Sequence, residues 1–468
     1  MTLAAAPLLA CSTPVRRATD PAAAGAASLT ADGADAALQA GPFQGHLGSG
    51  VVAWHGIRYA RASRFGLPAV EALPADPVDC ADFGATAAQP KGAGGARSES
   101  DDPFFLNVWS PAADEARRPV LVWIHGGGFQ TGAGSLYGGN ELAASGDIVV
   151  VTFNYRLGAI GFSDFSALGI PNNRGIHDQI AALRWVQANI ALFGGDPGKV
   201  TVAGESAGAT SVSLLLVARG VEPLFRAAIM QSGSLNLLHD RDIAARQAIR
   251  YREILGDDAG SRAALEAAPV ARFLYAQAQV AASFPGMIPA APIYDGELLP
   301  ASFDAARLGR TASGRIAATY PDTRTGNRNL ATDANFQMPT RHFAERHVAR
   351  GHRAWVYRFD LGGVLLGAAH AVDLTYLWPL NGVVFTALRG GPLTGQRRAL
   401  AERMRAYWIA FVRDGDPGSS WPTYVLPQRP TLILDRADRV ENDPDKARRV
   451  AWDGREIEIA RRPPDASA

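Results

Sequence analysis

Four stretches of this chain are short, apolar and almost free of polar interruption: PVLVWI at 119–124, DIVVVTFNY at 147–155, KVTVAG at 199–204 and RAAIMQS at 226–232. A strand with one wet face alternates polar and apolar residues, so runs like these suit strands covered on both faces. Between the second and third lies DQIAALRWVQANIALF at 178–193, which places Ile180, Leu183, Val186, Ile190 and Phe193 on one helical face. Strand, helix and strand in that order predict an α/β protein with a mostly parallel central sheet flanked by helices.

The chain has the bulk for such a core. It holds 468 residues, 47% of them hydrophobic, and its formal net charge of +1 offers no basic excess for nucleic acid. From Phe43 to about Gly454 the composition is an even globular mix without repeats or an internal linker, so residues 41–468 read as one large domain. Residues 12–40, rich in alanine and lacking aromatics, read as a disordered tether.

Residues 1–11, MTLAAAPLLAC, have the apolar run and closing cysteine of a bacterial lipoprotein signal, with Cys11 as the lipidated residue. The basic n-region is missing from Met1-Thr2-Leu3, and a start upstream of Met1 would restore it. The expectation is export, periplasmic or lipid-anchored, with a cytoplasmic location as the alternative. No other run is long enough to span a membrane, so the lipid would be the sole attachment. Cys80, the second of two cysteines, has no partner within the domain and reads as a structural thiol.

Function is expected in the turns. GESAG at 204–208 falls between the run KVTVAG and the apolar segment ATSVSLLLVAR. A serine at the centre of G-x-S-x-G, between strand and helix, sits on a tight elbow with its hydroxyl exposed, and the amides that open the helix face any oxyanion formed there. As a bare five-residue pattern it would arise often by chance; its place between this strand and this helix makes Ser206 a candidate nucleophile. A second turn, His125-Gly126-Gly127-Gly128-Phe129, ends the run PVLVWI, and its glycines let backbone N–H groups approach a ligand. It has no Gly-Lys-Ser/Thr, so it is not a phosphate loop.

These turns stand among further stations: HGIRYA, DPFFLNVWSP, FNYRLGAIGF, NNRGIHDQIAALRWVQANIALFGGDPGKVTVAGESAGA, MQSGS, ATDANFQMP and AYWIAFVRDGDP. Over most of residues 43–453 the chain resembles the type B carboxylesterases of the α/β-hydrolase superfamily, para-nitrobenzyl esterases among them. The resemblance implies an α/β-hydrolase fold, a small ester as substrate and no cofactor or metal. It implies Ser206 as nucleophile, Gly127, Gly128 and Ala207 as oxyanion donors, and His370, in GAAHAVDLTYLW, as the base. Of the nine histidines, His125 belongs to the glycine turn, and His342, His347 and His352 are expected on the surface of a helix and at its end.

Two departures stand out. Where the family has an N-terminal disulfide, this chain has Ala87 and Pro103. The family's acid segment, resembling G-x-N-x-D-E-G, is also missing: APIYDGELLPASFDAARLG (291–309) and RIAATYPDTRTGNRNLATDANFQMP (315–339) are joined by Arg310 to Gly314 alone. The acid, with its strand and following helix, reads as deleted, and one strand of the sheet is expected to go with it. Asp373, three residues after His370, Glu205, beside Ser206, and Asp322 are the candidate substitutes, each of them also readable as an ordinary surface or pocket carboxylate. The functional expectation is a serine hydrolase of carboxylic esters, weakened by loss of the acid; the alternative is a catalytically impaired relative that acts as a binding protein.

Overall fold

The computed structural model describes residues 38–90, 100–233, 235, 237–300, 315–321, 333–361, 368–380 and 383–453. An eleven-stranded sheet runs through it. In chain order its strands are β1 (His46–Gly48), β2 (Val51–Arg58), β3 (Phe105–Ser110), β4 (Arg118–Ile124), β5 (Val149–Phe153), β6 (Gly195–Glu205), β7 (Ala227–Gln231), β8 (Arg315–Pro321), β9 (Arg353–Phe359), β10 (Pro430–Leu434) and β11 (Arg439–Asn442). Across the sheet they lie in the order β1-β2-β3-β5-β4-β6-β7-β8-β9-β10-β11. All neighbours from β5 to β10 pair in parallel, and antiparallel strands close both edges.

The apolar runs are strands for the reason their composition gave. In β4, Val120, Val122 and Ile124 enter one core while Leu121 and Trp123 enter the other, so neither face has room for a polar residue. Helix α1 (Arg174–Asn189) covers the first face with Ile176, Ile180, Leu183 and Val186, and a 3-10 turn adds Ile190 and Phe193. Helix α7 (Gly395–Asp414) covers the second with Leu400, Met404, Trp408 and Phe411. Each such side chain contributes about 1.5–3 kcal/mol of burial. Between these two in sequence come α2 (Ala207–Leu215), α3 (Arg241–Leu255), α4 (Val270–Ser283), α5 (Met338–Val348) and the single turn α6 (Leu374–Leu377); α8 (Lys446–Trp452) follows.

The expected loss of a strand needs correction, because the sheet has no break. Residues Arg315–Pro321, directly after the five-residue junction, lie between β7 and β9 and pair in parallel with both, Ala228 with Ile316 and Arg315 with Arg353. An empty slot there would leave two central strands with unpaired N–H and C=O groups, a larger penalty than redirecting seven residues of the downstream flank. The junction itself, 310–314, lies outside the described residues, as do Asp322, Cys11 and nearly all of the expected tether. At the end of the expected tether, Gln39–Ala40 pair with Phe43–Gln44.

Two smaller points follow. His342 and His352 are partly exposed, but His347 is buried, its ring against Phe343 and His352, because the inward face of α5 carries it under the sheet. At the place of the family's disulfide, Ala87 and Ser100 form an isolated parallel bridge, with Ala88 N–H donating to Ser100 O (2.7 Å) and Ser100 N–H to Thr86 O (3.0 Å). Cys80 is a buried free thiol whose pKa burial, then Asp79, pushes up to about 12, which keeps it an unreactive thiol.

Candidate active site

The elbow is built by strain at one residue and space at two. Ser206 joins β6 to α2 with φ 56° and ψ −119°, a conformation L-residues avoid and one worth roughly 1–3 kcal/mol of strain. Its N–H donates to Gln231 O (2.9 Å), tying the elbow to the end of β7. A Cβ on Gly204 would lie 2.5 Å from Gly208 C, and one on Gly208 would lie 2.1 Å from Ile124 O. Only glycine at both positions lets the helix fold back onto strand ends this closely. Ala207 is the first residue of α2, so its N–H is one of those a helix leaves without an internal partner.

The glycine turn at the end of β4 packs directly on the elbow. A Cβ on Gly126 would meet Glu205 O and Oε2 at 2.7 Å and Ser206 Cβ at 3.3 Å. Gln130 and Thr131 donate their N–H groups to Gly127 O, Gln89 brackets Gly132 through both ends of its amide, and Tyr155 Oη donates to His125 O (2.8 Å). The turn is thereby fixed through its carbonyls. Among the described residues, the N–H groups of Gly127 and Gly128 have no acceptor. His125 stacks on Tyr155 below the turn, and burial lowers its pKa to about 4, so it stays neutral.

His370 follows β9 in a turn where Ala371 takes φ 66°. Its Nε2 lies 3.1 Å from Glu205 Oε1, and Phe336 stacks on its ring at 4.5 Å between centroids, inclined by 20°. The Glu205 side chain is 4% exposed and that of His370 is 37% exposed, so the imidazole closes over a buried carboxyl and opens outward. Burial and then the nearby Asp373 raise the Glu205 pKa well above the usual carboxylate range. Protein atoms around His370 lower its pKa to about 4 by desolvation, although the side chain stays partly open to solvent. Asp373 is buried too. It caps α6 by accepting from Leu374 N–H (3.1 Å), it accepts from Gln231 Nε2 (2.9 Å), and burial raises its pKa to about 6.

Of the residues singled out from sequence, Ser206, Ala207, Gly127, Gly128, Glu205, His370 and Asp373 therefore converge on one place. Gln231, Gly126, Tyr155 and Phe336 are there as well and were given no role in the site, although MQSGS, HGGGF, FNYRLGAIGF and ATDANFQMP carry them. The sequence profile of the carboxylesterase family matches residues 35–319 and 317–452 of this chain.

The chain belongs to the carboxylesterase family. It is 31% identical to the para-nitrobenzyl esterase of Bacillus subtilis over 88% of its own length and 96% of that protein. It is 32% identical to a probable N-octanoylanthranilate hydrolase of Rhodococcus erythropolis, over 84% of this chain and 96% of the other. Among solved structures, a carboxylesterase of Geobacillus stearothermophilus superposes with a TM-score of 0.77 at 31% identity, covering 88% of this chain and 98% of its own. A para-nitrobenzyl esterase superposes at 0.80 with 29% identity, covering 87% and 97%. The fold is thus the α/β-hydrolase fold and the protein is a carboxylic ester hydrolase whose substrates are small-molecule esters.

Proposed function

We propose that this carboxylesterase works through an acyl-enzyme on Ser206, with His370 as its base. The observation that carries the reading is the strained elbow at Ser206 with Gly126 packed against its Cβ, which brings the glycine turn, whose Gly127 and Gly128 N–H groups have no acceptor among the described residues, against the start of α2. Ser206 Oγ attacks the acyl carbon and its proton passes to His370. The carbonyl oxygen, now an oxyanion, accepts from Gly127, Gly128 and Ala207 N–H. Collapse expels the alcohol, which takes the proton from His370; a water, deprotonated by His370, then attacks the acyl-enzyme and frees the acid and Ser206.

Without the family's acid, the partner that remains for the imidazole is Glu205. In a serine protease, replacing the triad acid by its amide lowers kcat on the order of 10⁴. We expect turnover below that of relatives that keep the acid, with Ser206 still reactive, because elbow and oxyanion amides belong to β4, β6 and α2. The second reading, a catalytically impaired relative that acts as a binding protein, draws support from the same contact, since Glu205 Oε1 stands against Nε2. Burst kinetics with p-nitrophenyl acetate separate the two: an acyl-enzyme burst followed by steady turnover supports catalysis, and binding without release of nitrophenol overturns it.

We further propose that Cys11 is lipidated and the enzyme exported; the support is the sequence pattern alone.

A further inference from the structure

Phe336, the ring that covers one face of His370, belongs to the π-helical turn Asp333–Gln337 that leads into α5. Both ends of this turn are tied to the last described segment of the chain. The Asp333 side chain is 6% exposed and accepts from Arg448 Nε (3.0 Å), Arg448 Nη2 and Trp452 Nε1 (3.4 Å). Gln337 Nε2 donates to Asp445 Oδ2 (3.4 Å), and one turn on Arg341 pairs with Asp443 (3.2 Å) and donates to Pro444 O. Helix α8, which carries Arg448 and Trp452, has no buried residue. Apolar packing therefore does little to hold it, and its ion pairs and hydrogen bonds do most.

We infer that α8 is an ionic clamp on the aromatic cover of His370, with Asp333 and Arg448 as positioning residues that keep Phe336 against the imidazole. This rests on the reading of His370 as the base. A ring on one face removes water that stabilises the imidazolium more than the neutral imidazole, and it limits the rotation of the side chain. The clamp thus holds the base neutral and aimed. The titratable groups around the imidazole are Glu205 from β6, Asp373 from its own turn and Tyr137 beyond Glu205. None touches α8 among the described residues, so all stay in place when the clamp is opened.

The test uses the whole chain and p-nitrophenyl butyrate. Arg448→Ala, on a partly exposed helix, and Asp333→Asn should each lower kcat about three- to tenfold with KM little changed, as expected when a base is misaimed. Each should also move the acid limb of kcat/KM upward toward 6.5, the value of an unperturbed histidine. Arg448→Lys should recover part of the loss. Phe336→Leu should reproduce the shift, and adding Arg448→Ala to it should move the limb no further, since both act through one ring. A purely structural clamp would lower Tm in all variants and leave the limb where it is, which overturns the inference. Additive shifts in the double variant overturn it too. His370→Gln run alongside tests the underlying reading: undiminished turnover there means that His370 is not the base, whatever the clamp does.

Discussion

His370 Nε2 stands 3.1 Å from Oε1 of Glu205, the residue immediately before Ser206 in the chain. The proposed base is therefore approached by a carboxyl from the elbow itself. Asp373, three residues from His370, is instead committed to Gln231 and the Leu374 amide. Burial raises the Glu205 pKa well above the usual carboxylate range, and an imidazolium formed on His370 would favour the ionised form of the carboxyl beside it.

Glu205→Gln should accordingly lower kcat at least tenfold while KM changes little, because the carboxylate matters most when the imidazole is charged. Steady-state kinetics beside the wild type check this. Unchanged kcat would mean that the contact is structural only.

Ser206→Ala should abolish turnover and remove all labelling by a fluorophosphonate. The measurement is peptide mapping of the labelled wild type. An adduct on another residue would displace Ser206 from the mechanism.

Gly126→Ala should cost activity more than its added methyl suggests. The new Cβ would lie 2.7 Å from Glu205 O and Oε2 and 3.3 Å from Ser206 Cβ, so the glycine turn must retreat from the elbow, moving the oxyanion amides with it. A fall in kcat of about 10²-fold or more is expected, on the scale of losing one oxyanion donor. Retained kcat would show that the turn relaxes elsewhere.

Asp373 gives a pH dependence of stability. Its folded pKa of about 6 lies above the 3.8 of an unburied aspartate, so the folded state binds the proton more tightly than the unfolded one. The native state is thus favoured below pH 4, and that advantage is lost as pH rises through 6, amounting to roughly 3 kcal/mol for a shift of this size. Asp373→Asn, which keeps an acceptor for the Leu374 amide and can donate to Gln231 Oε1 once that amide turns over, should raise Tm relative to wild type at pH 7.5 and not at pH 4. Parallel thermal melts at the two pH values decide it.

For Cys11, intact-mass analysis of the membrane fraction from cells expressing the gene with its upstream region should find a processed, diacylated or triacylated N-terminus. An unmodified Met1 on soluble protein would remove the anchoring proposal.

What the sequence by itself determined was everything set within about ten neighbouring residues. The strands of the parallel core were legible because both faces are buried and polar residues are excluded from either parity. The elbow and the glycine turn were legible because a strained serine and a close helix–strand approach admit only glycine at Gly204, Gly208 and Gly126. The tertiary structure decided what depends on closing long loops. That Arg315–Pro321 fills the slot between β7 and β9 follows from the unpaired backbone on either side of it, and no local pattern in RIAATYP marks it. Gln231 meets Asp373 across 142 residues, and Asp333 meets Arg448 across 115. Contacts of that separation leave no periodicity to read, because the side chains that meet are chosen by packing of the finished sheet and not by the spacing of either segment.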